Sequence, residues 1–375
     1  MVTINPEIIK WAIDTSPFKK EEIAKKIKKP IKNIDDWLSG KEKMTFAEAK
    51  RLSEIVGRNP TIFLLDKPIS DTQIPMDFRL QKGVKKLGIK SMKVIRKAKY
   101  IQERIYEIMN LLKMNADCPI KSVSLYFSPL EKAKEIRTLL GLEELNNDKI
   151  DDNTFFEKIR EKLYNLNILV LMESLPYQEI RGFSLLDRKP YMIVVNNSDP
   201  FPKSKIFSLF HELGHLLLRK GALCNPEEIP IENNTELEKF KIEKWCNTFA
   251  ACTLVSPEVI FDTFKGKSSE VIEERVKKIS SKYHISKSAI YITLYENNII
   301  DLPTLNDFQS KFVKPIKKGG RAIPLEKRII KKFGKNMTKL VFYAHDEKII
   351  TTHDLMSIIS IKLENYERVK DLVEK

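Results

Sequence analysis

The sequence predicts a mainly helical protein of the α+β class, with a small sheet set beside one long apolar helix. Three observations lead there. Apolar residues recur at spacings of three and four along most of the 375 residues, the period of a helical face. Only two runs, Asn167 to Leu171 (NILVL) and Tyr191 to Val195 (YMIVV), have the branched composition and polar ends of strands. A hydrophobic share of 42%, with 12 Gly and 18 Pro spread along the chain, excludes a disordered or collagen-like protein.

Taken in order, Asn5 caps a first helix that Pro6 opens, and Ile8, Ile9, Ala12 and Ile13 form its apolar face. A second short helix lies in KKEEIAKKIKK. The third begins near Pro30 and runs through Ile34 and Trp37 until Gly40 stops it. Thr45 precedes a fourth, FAEAKRLSEIVG, closed by Gly57, and NPTIFLL begins a fifth. These five helices make residues 1–70 a compact domain. KSMKVIRKAKYIQERIYEIMNLLKM reads as one long helix within a basic linker, residues 71–115. The two strands fall in a third region, residues 116–300, which ends in a helical pair, ERVKKISSKY and SKSAIYITLYENN, with Ser286 as a cap. Residues 301–375 form a basic helical region, broken at Gly334 and restarted near Thr352.

The chemistry lies in the third region. His211-Glu212-Leu213-Gly214-His215 is an HExxH motif inside the apolar run IFSLFHELGHLLL. Pro202 precedes the helical pattern Lys203 to Arg219, and Gly221 is its expected end. On a helix, residues four apart differ by about 40° in rotation and about 6 Å along the axis, so both imidazoles can grip one ion. Glu212 stands beside them as a general base. A catalytic zinc site needs a third protein ligand and an open position. Glu243 and Asn247 lie four apart in a helical segment and share a face; the first is the leading third ligand, and the second can hydrogen-bond a ligating group. Glu236 and Glu238 are rivals in TELEKF, which has the composition of a solvated helix start. Candidates for an oxyanion partner are His284, Tyr283 and Arg181; His345 and His353 have no assigned role.

The runs YMIVVNN, KIFSLFHELGHLLL and ExxCNxFAA together resemble the ImmA/IrrE family of metallo-endopeptidases. The resemblance extends through Arg181-Gly182-Phe183-Ser184 upstream and LVSPEVIF downstream, over residues 125–300. It implies a zincin-like peptidase domain with His211, His215 and Glu243 as Zn2+ ligands, Glu212 as the base, and a bound repressor, an XRE-type regulator, as substrate. Cys246 stands where alanine is usual, an exchange expected to leave the metal untouched. The strand Tyr191 to Val195 is expected to offer an edge to an extended substrate peptide.

Residues 1–70 resemble the XRE (Cro/repressor-like) helix-turn-helix domain, on EEIAKKI with Ala24 and on PIKNIDDWLSGKEKMTFAEAKRLSEIVG with Trp37 and Gly40. That resemblance implies that Lys32 and Asn33 meet base edges, with Lys29 close by, while Lys41 and Lys43 contact phosphate. Asp35 and Asp36 lie on or near the same helix and oppose it. The run Asp77-Phe78-Arg79 is characteristic of chains that join such a domain to an ImmA/IrrE peptidase.

Charge agrees with that division. The formal charge is +15, yet residues 151–300 carry 20 basic against 21 acidic side chains. The excess therefore belongs to the flanks. Arg79 to Lys99 has nine Lys/Arg and no acid, and Lys311 to Lys339 has eleven against one Glu, which points to nucleic acid as partner. Four cysteines without a CxxC pair read as reduced thiols. With no signal-peptide pattern and no long apolar run, the expectation is a cytoplasmic protein without a membrane partner. Its expected partners are a protein substrate (an XRE-type repressor or antitoxin) and DNA; a homodimer matched to two half-sites is open. Two other readings stand beside cleavage of a regulator: a DNA-binding regulator or antitoxin whose peptidase domain senses, and a chain that cuts itself near residues 71–90.

Overall fold

The computed structural model describes residues 4–68, 87–147, 150–219, 236–262, 264, 269–311 and 323–374. The chain divides into two compact units, Met1–Lys99 with Leu175–Ile180, and Tyr100–Ser174 with Arg181–Lys375. The motif Asp77-Phe78-Arg79, Cys224, Gly221 and parts of both basic stretches lie outside the described residues.

The first unit opens with α1 (Pro6–Asp14), α2 (Lys20–Ile27), α3 (Ile31–Leu38) and α4 (Phe46–Val56), followed by a 3-10 turn, Pro60–Leu64. Local chemistry sets these limits. The Asn5 side chain accepts from the Glu7 N–H, with Pro6 at the first helical position. Thr45 and Glu48 cap each other's backbone at the start of α4, and Gly57, left-handed at φ 70°, ends it. Between α2 and α3, Lys28 takes φ 59° and the Lys29 N–H returns to the Ala24 carbonyl at 3.1 Å, closing α2 before Pro30 starts the next helix. Ile8, Ile23, Ile34, Trp37, Leu52 and Phe63 are fully buried and hold the four helices together.

Residues of α5 (Ile89–Leu111) fall in both units. In the first, Arg96 donates to the carbonyls of Val56, Gly57 and Thr15, satisfying the end of α4.

The second unit continues through α6 (Pro129–Leu139), α7 (Leu142–Asn147), α8 (Asp152–Asn165), β1 (Ile168–Glu173), β2 (Gly182–Leu185), β3 (Tyr191–Asn196), α9 (Pro202–Leu218) and α10 (Glu236–Leu254). After a π turn at Glu258–Asp262 come α11 (Ser269–Lys282), α12 (Lys287–Glu296), α13 (Leu302–Ser310), α14 (Leu325–Phe333), α15 (Lys335–Asp346), α16 (Thr352–Ile359) and α17 (Tyr366–Glu374). The sheet order is β1-β3-β2, with β1 parallel to β3 from Ile168↔Tyr191 to Glu173↔Asn196, and β2 antiparallel to β3. Every residue of β3 is buried, as a strand covered on both faces requires.

This corrects one expectation. Tyr191 to Val195 is the middle strand, paired on both sides, and has no edge to give a peptide. The edges are β1 and β2, and β2 was not foreseen as a strand at all. Helix α9 packs on β2, β3, α8 and α10, and its Leu209, Phe210, Leu213 and Leu217 are fully buried. Each contributes about 1.5–3 kcal/mol. Among the described residues no helix is long and apolar enough to cross a membrane.

Candidate metal centre

Helix α9 starts with Pro202 at its first position and ends at Leu218, where Arg219 turns left-handed at φ 46°. Its C-terminal half carries the HExxH residues, with His215 in the last turn. The Nε2 atoms of His211 and His215 stand 3.1 Å apart. Glu243, on α10, brings Oε2 to 3.4 Å from His211 Nε2 and Oε1 to 3.3 Å from His215 Nε2. Among the described residues these three form the one group of His, Cys, Asp or Glu donors close enough to share an ion. Glu238 is not in it.

The spacing tests whether zinc fits. Four ligands at about 2.0–2.1 Å from a tetrahedral ion are separated from one another by about 3.3–3.4 Å. The three observed separations lie at or near that edge length. The donor set, two imidazoles and a carboxylate, is also one of the sets catalytic zinc uses. The residues present fit the ion.

Two glycines permit this geometry. An ideal Cβ on Gly214 would meet Cys246 Sγ and Phe249 Cδ1 at 3.2 Å, so α9 and α10 approach closely there, one turn from Glu243. An ideal Cβ on Gly182, the first residue of β2, would meet the Val194 carbonyl at 3.0 Å and Glu212 Cγ at 3.1 Å. The Glu212 side chain thus lies along the start of β2. It is 4% exposed, and His211 is fully buried.

Electrostatics bind the group together. Burial works against the charge of Glu243, but His211 and His215 outweigh it and hold the carboxyl far below the usual carboxylate range. For His215 burial again opposes charge, while Cys246, Glu243 and Glu212 push its pKa well above that of free histidine. The Cys246 thiol hydrogen-bonds His215, and burial raises the thiol's own pKa. Cys246, where alanine is usual in the family it resembles, therefore interacts with the His215 ring. The signal was its position three residues after Glu243, on the same helical face.

The other candidates are placed as follows. Asn247 donates its amide to both carboxylate oxygens of Glu296, at 3.0 and 3.1 Å; Glu296, at the end of α12, was not singled out in the sequence. His284 sits at φ 53°, with Nδ1 2.7 Å from Asp152 Oδ1 and its ring stacked on Phe155. It braces α8 against the turn before α12. His345 bridges Thr352 and Tyr366 within the C-terminal helices, and His353 is exposed. In the first unit Lys32, Lys41 and Lys43 are exposed. Lys29 pairs with Glu48, and the Asn33 amide donates to Glu42 at 3.0 Å. Asp35 pairs with Lys20 at 2.5 Å.

Comparison with known proteins agrees with the centre's location. Residues 164–295, from the last turn of α8 to α12, match the family model of the IrrE N-terminal-like domain, a peptidase family. No curated protein and no solved structure matches the chain.

Proposed function

We propose that this chain is a zinc-dependent endopeptidase that cuts a regulatory protein, a repressor or antitoxin, and that its first unit binds DNA or that regulator. One observation carries the reading: His211, His215 and Glu243 converge at tetrahedral spacing while Glu212 lies beside them along β2. His211 and His215 would hold the ion from α9 and Glu243 from α10. A zinc ion so held supplies Lewis acidity and lowers the pKa of water to about 7.

The chain's own residues do the rest. Glu212 is buried beside the three clustered donors without being one of them, and its carboxylate is the group assigned to take a proton from the attacking water and pass it to the leaving amine. The Gly182 backbone borders that carboxylate, so an extended substrate segment that reaches Glu212 passes the start of β2. Such a segment has to be flexible enough to become a strand. The match to a peptidase family supports a protein substrate.

For the first unit, the turn between α2 and α3 and the exposed Lys32, Lys41 and Lys43 support contact with DNA. Lys29 and Asn33 are engaged within the unit, so they contribute less than the resemblance implies. The test is capture from native extract with Glu212→Gln as an inactive trap, followed by incubation of each captured protein with the wild-type chain. Cleavage of a captured regulator is the expected result; capture of DNA-binding partners that the wild type never cuts would favour a sensor.

A further inference from the structure

Glu212 meets the sheet at Gly182, and what holds Gly182 in place begins outside the sheet. Residues 174–181 join β1 to β2. Both strands belong to the second unit, yet Leu175–Ile180, the middle of their connection, belongs to the first. Chain continuity therefore ties the start of β2 to that unit.

The fastening within the first unit is a single carboxylate. Glu179 Oε2 accepts the Gly88 N–H at 2.9 Å and the Ser91 hydroxyl at 2.7 Å. Ser91 is fully buried, and hydrogen bonds to an ionised acceptor are the stronger kind. Gly88 leaves room for the carboxylate: an ideal Cβ there would stand 2.7 Å from Glu179 Oε1. The anchoring end is itself held. Five residues after Ser91 on α5, Arg96 donates to the carbonyls of Val56, Gly57 and Thr15, and an ideal Cβ on Gly57 would meet Ile89 Cγ2 at 2.8 Å.

The connection has little slack. The Glu179 and Ile180 N–H groups both donate to the Pro176 carbonyl, at 3.0 and 3.3 Å, and Leu175 and Ile180 are buried. The Arg181 carbonyl already accepts the Asn196 N–H at 2.9 Å, so pairing with β3 begins two residues after Glu179. Three residues of chain reach at most about 10–11 Å, too few to absorb a shift of Glu179 before Gly182.

We infer that Glu179 is a positioning residue for the cleavage reaction: by fastening the β1–β2 connection to the start of α5, it sets where Gly182 stands beside Glu212. Its consequence for cleavage rests on the peptidase reading, whereas the fastening does not. The first unit thereby takes part in catalysis without touching the substrate, through a continuous run of bonded groups.

The test is hydrogen exchange by mass spectrometry on the zinc-loaded full-length chain, paired with cleavage kinetics on the captured regulator. Glu179→Ala removes the acceptor of both bonds. Gly88→Ala displaces the same carboxylate from the other side, at a backbone position that is not left-handed and against the end of a flexible side chain. Glu179→Gln keeps an acceptor oxygen. In both alanine variants the amides of residues 182–185 should exchange at least about tenfold faster, with those of α9 and the zinc content unchanged. The same variants should lose at least about tenfold in kcat with KM little changed. Glu179→Gln should match the wild type in both measurements. Faster exchange confined to residues 175–180, a wild-type kcat in both alanine variants, or a loss in Glu179→Gln as large as in Glu179→Ala overturns the proposal. If the wild type cuts nothing while the exchange result holds, the peptidase reading fails and the fastening of Gly182 stands.

Discussion

At the residue scale, the account turns on how little room separates Glu212 from the sheet. Gly182 has no side chain because the Val194 carbonyl and the Glu212 carboxylate arm already occupy the space a Cβ would enter. Substituting Gly182→Val therefore displaces the carboxylate without touching a metal donor. We expect metal content unchanged by elemental analysis and cleavage reduced at least about tenfold, since misplacing a proton-transfer group is costly. A variant that cuts normally would show that Glu212 does not work from beside β2. Cys246 shows the same dependence on neighbours in reverse. Its spacing from Glu243 was visible in the sequence, but the thiol's bond to His215 depends on how closely α9 and α10 approach.

At the element scale, that close approach is set by Gly214. Gly214→Val forces a branched side chain against Cys246 and Phe249, an overpacking that costs about 1–3 kcal/mol and moves Glu243 away from the two histidines. Metal should be lost more readily to a chelator, measured by zinc-indicator competition; retention equal to wild type would contradict the packing argument. In α4, burial opposes the charge of Glu48, but Lys29 and the Thr45 cap outweigh it and lower its pKa from 4.5. A depressed carboxylate contributes stability above its unfolded value and loses it as pH falls through the folded value. Urea midpoints of the full chain should therefore fall below pH 4.5, and fall less in Glu48→Gln; identical pH profiles would remove the cap from the account.

The same scale shows what could be read from the sequence. Helix limits set by local chemistry, such as Asn5 with Pro6 or Thr45 with Gly57, were legible because the cap lies in the adjoining residues. So was α9, whose motif and apolar period coincide. Strand β2 was not: Gly182-Phe183-Ser184-Leu185 is short and half made of poor strand formers, and only pairing with β3 makes it a strand. The central place of β3 was hidden for the same reason. The partner of Asn247 lies 49 residues away on α12, and that of His284 lies 132 residues away at the start of α8. Contacts of that range carry no local signal.

At the scale of the whole molecule, the charge of +15 belongs to the flanks of a nearly neutral middle. If the first unit binds DNA through Lys32, Lys41 and Lys43, log K should fall with log salt by about 0.9 per phosphate contact, and the slope should flatten when the three are changed to alanine. An unchanged slope, measured by fluorescence anisotropy, would assign the excess charge to other surfaces. The metal centre requires no such charge, and its chemistry is tested separately. The most direct measurement compares wild type and Glu212→Gln, at equal zinc content, on a captured regulator. The account predicts one zinc per chain in both and a cleavage rate lower by about 10²–10⁴-fold in the variant. Equal rates, or zinc absent from the wild type, would contradict it.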